Sequence, residues 1–190
     1  MVEATLSLIE EKGPTGCTLA EAARFAGVSP AAPYRHFKGR EELIEEVARQ
    51  GFEIFADLME TAYGDGQPSA LSSFERVGRA YLSFARAQPG HYIAMFESGV
   101  NFARNSALAA ASDRAMGVLT QAAEELASHL PPEKRPPARM VSHHIWAMSH
   151  GVVELFARGA PGARAPFSPE ELLESGTGIY LRGLGLIPGD

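Results

Sequence analysis

The stretch that decides the fold reads Thr18-Leu-Ala-Glu-Ala-Ala-Arg-Phe-Ala-Gly-Val-Ser29, followed by Pro30-Ala-Ala-Pro-Tyr-Arg-His-Phe-Lys-Gly-Arg-Glu-Glu-Leu43. Thr18 and Glu21 have the spacing of a capping box, in which the hydroxyl accepts a helix N–H and the carboxylate reaches back to the cap. This spacing predicts a short helix over about 19–26. Gly27 follows at the position where a helix commonly ends in a left-handed cap.

A second short helix is predicted directly after this turn. Ser29-Pro30 supplies a hydroxyl cap and a proline at the first helical position, and the helix should end near Phe37. Pro33 conflicts with a regular helix, because it removes the hydrogen bond back to the Ser29 carbonyl and biases Ala32 away from helical geometry. We therefore expect a distorted first turn, or a helix that starts later. Two short helices joined in this way form a helix-turn-helix, whose second helix lies in the major groove of DNA.

The charge of this stretch differs from that of the whole chain. The 190 residues carry 17 basic and 23 acidic side chains, a net charge of -6, which argues against a polycationic protein that binds nucleic acid with its whole surface. Between Glu21 and Glu41 the charged residues are all basic: Arg24, Arg35, Lys38 and Arg40, with His36 able to add a fifth charge. Such a cluster favours phosphate contacts, because each neutralised phosphate releases counterions.

Apolar residues recur at three- and four-residue steps along the rest of the chain, which predicts an all-α protein. The first helix should carry Val2, Leu6 and Ile9, and a longer one should run from Glu41 to a break at residues 64–68. Further helices are predicted over about 69–88, 90–98, 103–130, 138–158 and 169–187, with a Gly- and Pro-rich separator at 159–166.

Several classes of function have no support in the sequence. The single Cys17 cannot form an internal disulfide or a four-thiolate zinc site. His143 and His150 are seven residues apart, about 10.5 Å along a helix, so they cannot bind one ion together. No nucleophile elbow, phosphate-binding glycine loop or pair of catalytic carboxylates is present, so we predict a non-enzymatic chain without cofactor or metal. The N-terminus is not a signal peptide and no run of about 18 apolar residues occurs, which predicts a cytoplasmic protein.

The opening stretch resembles the DNA-binding end of TetR-family transcriptional regulators. The resemblance rests on Gly27-Val28-Ser29, Tyr34-Arg35-His36-Phe37 and Arg40-Glu41-x-Leu43. Near the other end, Trp146-Ala-Met-Ser-His150-Gly151 is similar to the C-terminal domain of the WHG-containing branch of that family. The resemblance implies a three-helix helix-turn-helix domain over 1–48 and a larger helical domain for ligand binding and dimerisation over 49–190.

The resemblance also implies which residues contact double-stranded DNA. Phosphates would be held by Tyr34, His36, Lys38 and Arg40, and base edges would face Pro30, Ala31, Ala32 and Arg35, with Thr18 completing the set. Arg35 is the one side chain among the base-facing four able to discriminate strongly, since arginine makes bidentate contacts to guanine. From the residues alone, Tyr34 and Phe37 could be core residues, and His36 could be a solvated surface histidine.

One departure from the family concerns the N-terminus. Many relatives carry a basic extension before the first helix that can enter the minor groove, whereas Met1 falls inside the predicted first helix. We expect either binding without that arm or a shortened chain.

For the larger domain, the resemblance implies an unidentified small-molecule ligand and a dimer contact. The predicted ligand-lining residues are Tyr81, Phe84, Phe96, Met116, Trp146 and His150, although aromatic residues at helical spacing are usually core. The last two helices should form the homodimer interface, one with an apolar face and the other with glycines among its apolar residues. The alternative for the final helix is that it frays.

The predicted function is a ligand-responsive transcriptional regulator, most often a repressor in this family, that binds a palindromic operator as a dimer. The alternative is a helical small-molecule-binding or scaffold protein whose reading head no longer binds DNA. Residues 1–50 carry six basic and eight acidic side chains, a net -2, which keeps that alternative open.

Overall fold

The computed structural model describes residues 1–158 and 166–188, and within these ranges it contains helices and no strand, so the all-α prediction is confirmed. Of the predicted separator at 159–166, residues 159–165 lie outside the described residues. Eight α-helices occur in the described ranges, at the following positions: α1 Val2–Lys12, α2 Leu19–Phe25, α3 Arg40–Tyr63, α4 Ala70–Ala87, α5 Pro89–Phe96, α6 Ser106–Ala127, α7 Ala138–Val152 and α8 Pro169–Gly183.

Local side-chain chemistry starts and stops several of these helices. The predicted capping box of α2 is confirmed, since the Glu21 amide donates to Thr18 Oγ1 at 3.2 Å and the Glu21 carboxylate accepts from the Thr18 amide. A second capping box, Ser168 with Glu171, starts α8. Its Ser-x-x-Glu spacing was readable in the sequence. The predicted break after α3 is confirmed, with positive φ at three consecutive residues, 64–66.

The second helix of the predicted helix-turn-helix is not an α-helix. A turn is followed by the 3-10 helix Pro33–Arg35, in which the His36 amide donates to the Pro33 carbonyl at 2.9 Å. The Ser29 carbonyl accepts from the Ala32 amide at 2.9 Å, because Pro33 has no N–H to offer. The prediction of a helix capped by Ser29 and reaching Phe37 is therefore wrong, whereas the expected distortion at its first turn is confirmed.

The predicted helix over 138–158 also ends differently. Regular α7 stops at Val152 and passes into a π-helical turn, Val153–Ala157, where the Arg158 amide donates to the Val153 carbonyl at 2.9 Å. No helix in the described ranges is long and apolar enough to cross a membrane.

The chain forms two compact units. The first comprises Met1–Phe55 and Ala87–Arg114, and the second comprises Ala56–Arg86 and Ala115–Asp190. In the first unit, α1 packs on α2 and α5 over a core that includes Ile9, Leu43 and Tyr92, all almost completely buried. The core of the second unit includes Phe74, Ile145 and Leu181. The domain boundary at residue 48 stays a prediction.

Candidate nucleic-acid interface and ligand cavity

The segment after α2, residues 30–38, presents a group of polar and basic side chains and is called the reading segment below. It packs on α2 through its 3-10 helix, within which Pro33 is buried. Phe37 is half-buried, so it lies at the edge of the core and not within it. The remaining side chains are exposed except for half-buried Ala32: Pro30, Ala31, Tyr34, Arg35, His36 and Lys38.

Exposure decides between the two interpretations of Tyr34. Its side chain is 61% exposed, so it is not a core residue of this unit. A tyrosine held this far out of a helical domain has its hydroxyl available for an external partner.

The end of the reading segment is tied to the start of α3. The Lys38 amide donates to Glu42 Oε2 at 2.5 Å, so a side chain of the first turn of α3 fixes the backbone while the Lys38 side chain stays exposed. The Glu42 carboxylate thus fixes the backbone between the reading segment and α3, and in this structure it does not contact the Lys38 ammonium.

Arg40 and Thr18 have structural contacts as well as predicted DNA contacts. The half-buried Arg40 guanidinium donates to the Pro14 carbonyl, and its Nε is buried without a hydrogen-bond partner among the described residues. The Thr18 hydroxyl is engaged in the capping box, where Glu21 also forms an ion pair with Lys12 at 3.2 Å. Their contacts to DNA stay predictions.

Two exposed apolar side chains beside the reading segment were missed by sequence reasoning. Phe25 is 58% and Val28 is 42% exposed, and Val28 lines a shallow depression with Arg24 and Pro30. Exposed large apolar residues are informative because they lie where a partner can cover them.

The structure brings together part of the predicted ligand-lining set. The Tyr81 hydroxyl and His150 Nδ1 are 2.9 Å apart, and the rings of His150 and Trp146 lie 6.5 Å apart between centroids. Tyr81 and Phe84 are buried, whereas Met116, Trp146 and His150 are half-buried. All five belong to the second compact unit.

Phe96 differs from these five because it belongs to the first unit. Its ring lies 4.8 Å from that of Tyr92 and 5.6 Å from that of Phe52, an arrangement expected of an aromatic core cluster. Its place in a ligand site, like that of the other five, stays a prediction.

A cavity of about 90 Å³ lies between α4 and α8 in the second unit, and none of the six predicted residues lines it. Its apolar lining comes from these residues: Leu71, Phe74, Leu82, Ile145, Leu173, Leu181 and Ile187. The remaining lining is polar or glycine: Glu75, Gly78, Arg79, Glu170, Glu174, Thr177 and Gly178.

The last two helices have apolar side chains on their outer surfaces. Met140 of α7 is 56% exposed and Ile179 of α8 is 65% exposed. Val141 and Ile145, which also belong to the apolar face predicted for this helix, are buried within the protomer. The Tyr180 hydroxyl contacts His144 Nδ1 at 2.7 Å, which joins α7 to α8 at this surface.

Metal binding has no support in the part of the chain that the structure describes, where no group of three potential ligands occurs. His143 Nδ1 lies 2.6 Å from the Arg139 carbonyl oxygen, one turn earlier in α7.

Two family models match different parts of the chain. The family model of bacterial regulatory proteins, tetR family, matches residues 1–47, and the model of a tetracyclin repressor-like C-terminal domain matches residues 74–178. No curated protein matches the sequence. The assignment to the WHG-containing branch stays a prediction.

Solved structures agree with these matches over nearly the whole chain. A protein of unknown function from Rhodococcus sp. RHA1 is 26% identical, with a TM-score of 0.79 over 96% of this chain and 92% of that one. The TetR-family transcriptional regulator PfmR from Thermus thermophilus is 18% identical, with a TM-score of 0.72 over 95% of this chain and 96% of that one.

The fatty acid degradation regulator FadR from Bacillus halodurans is 13% identical, with a TM-score of 0.73 over 95% of this chain and 92% of that one. At these identities PfmR and FadR share the fold with this chain. The C-terminal family model covers more than half of the 190 residues and the N-terminal model covers the capped helix and the reading segment, so the chain belongs to the tetR family of bacterial regulatory proteins.

Proposed function

We propose that this chain is a cytoplasmic DNA-binding transcriptional regulator whose reading segment contacts a double-stranded operator. The observation that carries the proposal is the exposure of Arg35, His36 and Lys38 on one short segment behind a capped helix, in the part of the chain matched by the N-terminal family model. The Lys38 ammonium and the Tyr34 hydroxyl can donate hydrogen bonds to phosphate oxygens, whereas the Arg35 guanidinium can donate to guanine O6 and N7.

The reading segment also presents small apolar residues beside these charges. Pro30 and Ala31 are exposed and small, and they can offer only apolar surface to a base edge. Apolar contact is the readout available for the methyl group of thymine. The proposal therefore assigns one strongly specified guanine and a weaker preference for thymine to each half-site.

The active form is proposed to be a homodimer through α7 and α8. Met140 and Ile179 expose apolar area on these helices, and a second copy would cover it. A twofold dimer presents its two reading segments to a palindromic operator with half-sites about 34–36 Å apart, or a close variant.

Regulation is proposed to follow from small-molecule binding in the second unit, with repression as the default state. The ligand must bind the conformation that cannot hold DNA more tightly than the one that can, since equal affinity would shift nothing. Support for a site near Tyr81, Trp146 and His150 comes from the polar hydroxyl–imidazole contact among aromatic side chains.

A salt titration tests the DNA-binding proposal. Binding of the purified protein to its own upstream duplex and to a random duplex is measured by fluorescence anisotropy over a range of salt concentrations. The expected result is a linear fall of log K with log salt on both duplexes, with tighter binding to the upstream duplex. Weak binding at every salt concentration would instead favour the scaffold function.

A further inference from the structure

We infer that the cavity between α4 and α8 binds a compact lipophilic cation, a small molecule with a short apolar body and a protonated amine. The inference deepens the proposed function and rests on it for its regulatory consequence. The site is separate from the Tyr81–His150 contact, since neither of these residues lines the cavity.

The floor of the cavity suits the apolar body of such a ligand. Phe74, Ile145 and Leu181 line it and are at most 2% exposed, so the floor is part of the packed core. Pockets for drug-sized ligands have volumes of about 300–1,000 Å³, so a cavity of about 90 Å³ takes a smaller occupant, such as a single ring or a short chain.

A glycine of α4 keeps the cavity open. A Cβ at Gly78 would lie 3.7 Å from Leu173 Cδ2, an ordinary van der Waals distance, so no close helix contact requires glycine here. Glycine within a helix is destabilising relative to alanine. Gly78 lies in the cavity wall, where a larger side chain would fill the space, and this explains why a glycine occurs at this position.

The rim of the cavity suits the cationic head. Three lining glutamates face one lining arginine: Glu75 pairs with Arg79 at 3.5 Å, and Glu170 pairs with Arg86 at 2.5 Å. Glu174 is exposed and has no ion pair with any cation that the structure describes. A protonated amine therefore gains an attraction at this rim, while a carboxylate ligand meets repulsion.

A ligand in this cavity would act on the helix proposed to form the dimer. Leu173 and Leu181 point into the cavity from α8, while Ile179 of the same helix is 65% exposed. A ligand that repositions the inner face of α8 also moves its outer face. If the two positions of α8 bind the ligand with different affinity, the ligand shifts the population from one to the other. Each position gives a different dimer geometry, and the two geometries bind the operator with different affinity.

Head-group selectivity tests the binding site. Hexylamine, hexan-1-ol and hexanoate share one apolar chain and differ in charge, and their dissociation constants are measured by isothermal titration calorimetry on the full chain. Hexylamine is expected to bind about tenfold more tightly than hexanoate, with hexan-1-ol between them. Equal or tighter binding of hexanoate would overturn the inference.

Two pairs of variants place the ligand in this cavity. G78L fills the cavity and should abolish hexylamine binding, whereas G117L adds the same side chain at an exposed α6 position with open space and should not. E174Q should reduce the preference for hexylamine over hexan-1-ol several-fold, whereas E124Q on the exposed surface of α6 should leave it unchanged. Retained selectivity in E174Q, or retained binding in folded G78L, would overturn the site.

Operator binding separates this inference from the proposed function. Saturating hexylamine should change the operator dissociation constant several-fold for the wild-type chain and not for folded G78L at the same concentration. An unchanged constant in the wild-type chain would overturn the regulatory part. Absence of DNA binding would contradict the proposed function, while the calorimetric test of the cavity would still give its own result.

Discussion

Arg35 and Lys38 are both exposed cations on the reading segment, yet their side chains recognise different partners. Arg35→Ala is expected to cost about 1–3 kcal/mol of binding free energy on the operator and to relax base preference at one position of each half-site, because a bidentate guanine contact is lost.

Lys38→Ala should weaken binding to every duplex alike and lower the slope of log K against log salt by about one, because a phosphate contact is lost. Anisotropy titrations on the operator and its single-base variants measure both effects.

The matched control for these two variants is Lys134→Ala, which removes an exposed cation from the second unit. Its operator affinity should equal that of the wild-type chain. An equal loss on all sequences in Arg35→Ala would contradict a base contact by that residue.

His91 is 6% exposed in α5, and its Nε2 is buried without a hydrogen-bond partner among the residues described. Burial lowers the pKa of His91 below its usual value, although Glu3 and Glu10 oppose that shift. The unfolded chain therefore takes up this proton first as the pH falls. The stability that neutral His91 contributes is present above about pH 6.5 and is lost as the pH falls towards the folded-state pKa.

His91→Gln is expected to reduce the loss of unfolding free energy between pH 7.5 and pH 5.5, because glutamine has no proton to take up in this range. Urea unfolding at the two pH values measures the difference. His36→Gln, at an exposed position, is the control and should keep the wild-type difference. An unchanged difference in His91→Gln would assign the acid sensitivity to other groups.

Among the helices, α2 depends on its cap because it has only seven residues. Thr18→Ala should lower the free energy of unfolding by about 1 kcal/mol, because the Glu21 amide loses its hydroxyl acceptor. Thr18→Ser keeps a hydroxyl at this position and should stay close to the wild-type value. Chemical denaturation at neutral pH distinguishes the two, and an equal loss in both variants would show that the methyl group matters rather than the cap.

Caps and breaks were predictable because they depend on neighbours in the chain. The capping box of α2 and the glycine-rich break after α3 involve residues no more than a few positions apart. The reading segment was harder, since Ser29-Pro30 predicted a helix while Pro33 opposed it. The missing amide of Pro33 prevailed, and 3-10 geometry resulted.

At the level of the assembled molecule, Ile179→Asp tests the dimer surface. Ile179 is 65% exposed, so a charge there costs the folded protomer little but would lie unpaired in the proposed interface. Sedimentation at micromolar concentration should show a monomer, and operator affinity should fall because one protomer contacts only one half-site.

A control for this variant is Ala110→Asp at an exposed position of α6, which should leave the oligomeric state unchanged. Ile179 is preferred to Tyr180 as the probe, because Tyr180 also holds His144 within the protomer. An intact dimer in Ile179→Asp would place the interface elsewhere.

Short-range signals were sufficient for the helical class, the capped α2, the cluster of basic residues that follows α2 and the break at 64–68, since each depends on the chain's own local chemistry. Contacts between residues distant in the sequence decided the remaining features, which are the position of Arg40, the packing of Phe96 and the cavity. Arg40 turns towards the Pro14 carbonyl, Phe96 packs in an aromatic core cluster, and a cavity opens between α4 and α8. An aromatic or apolar residue has the same periodicity in a core as in a cavity wall, so its role depends on which helices pack against it.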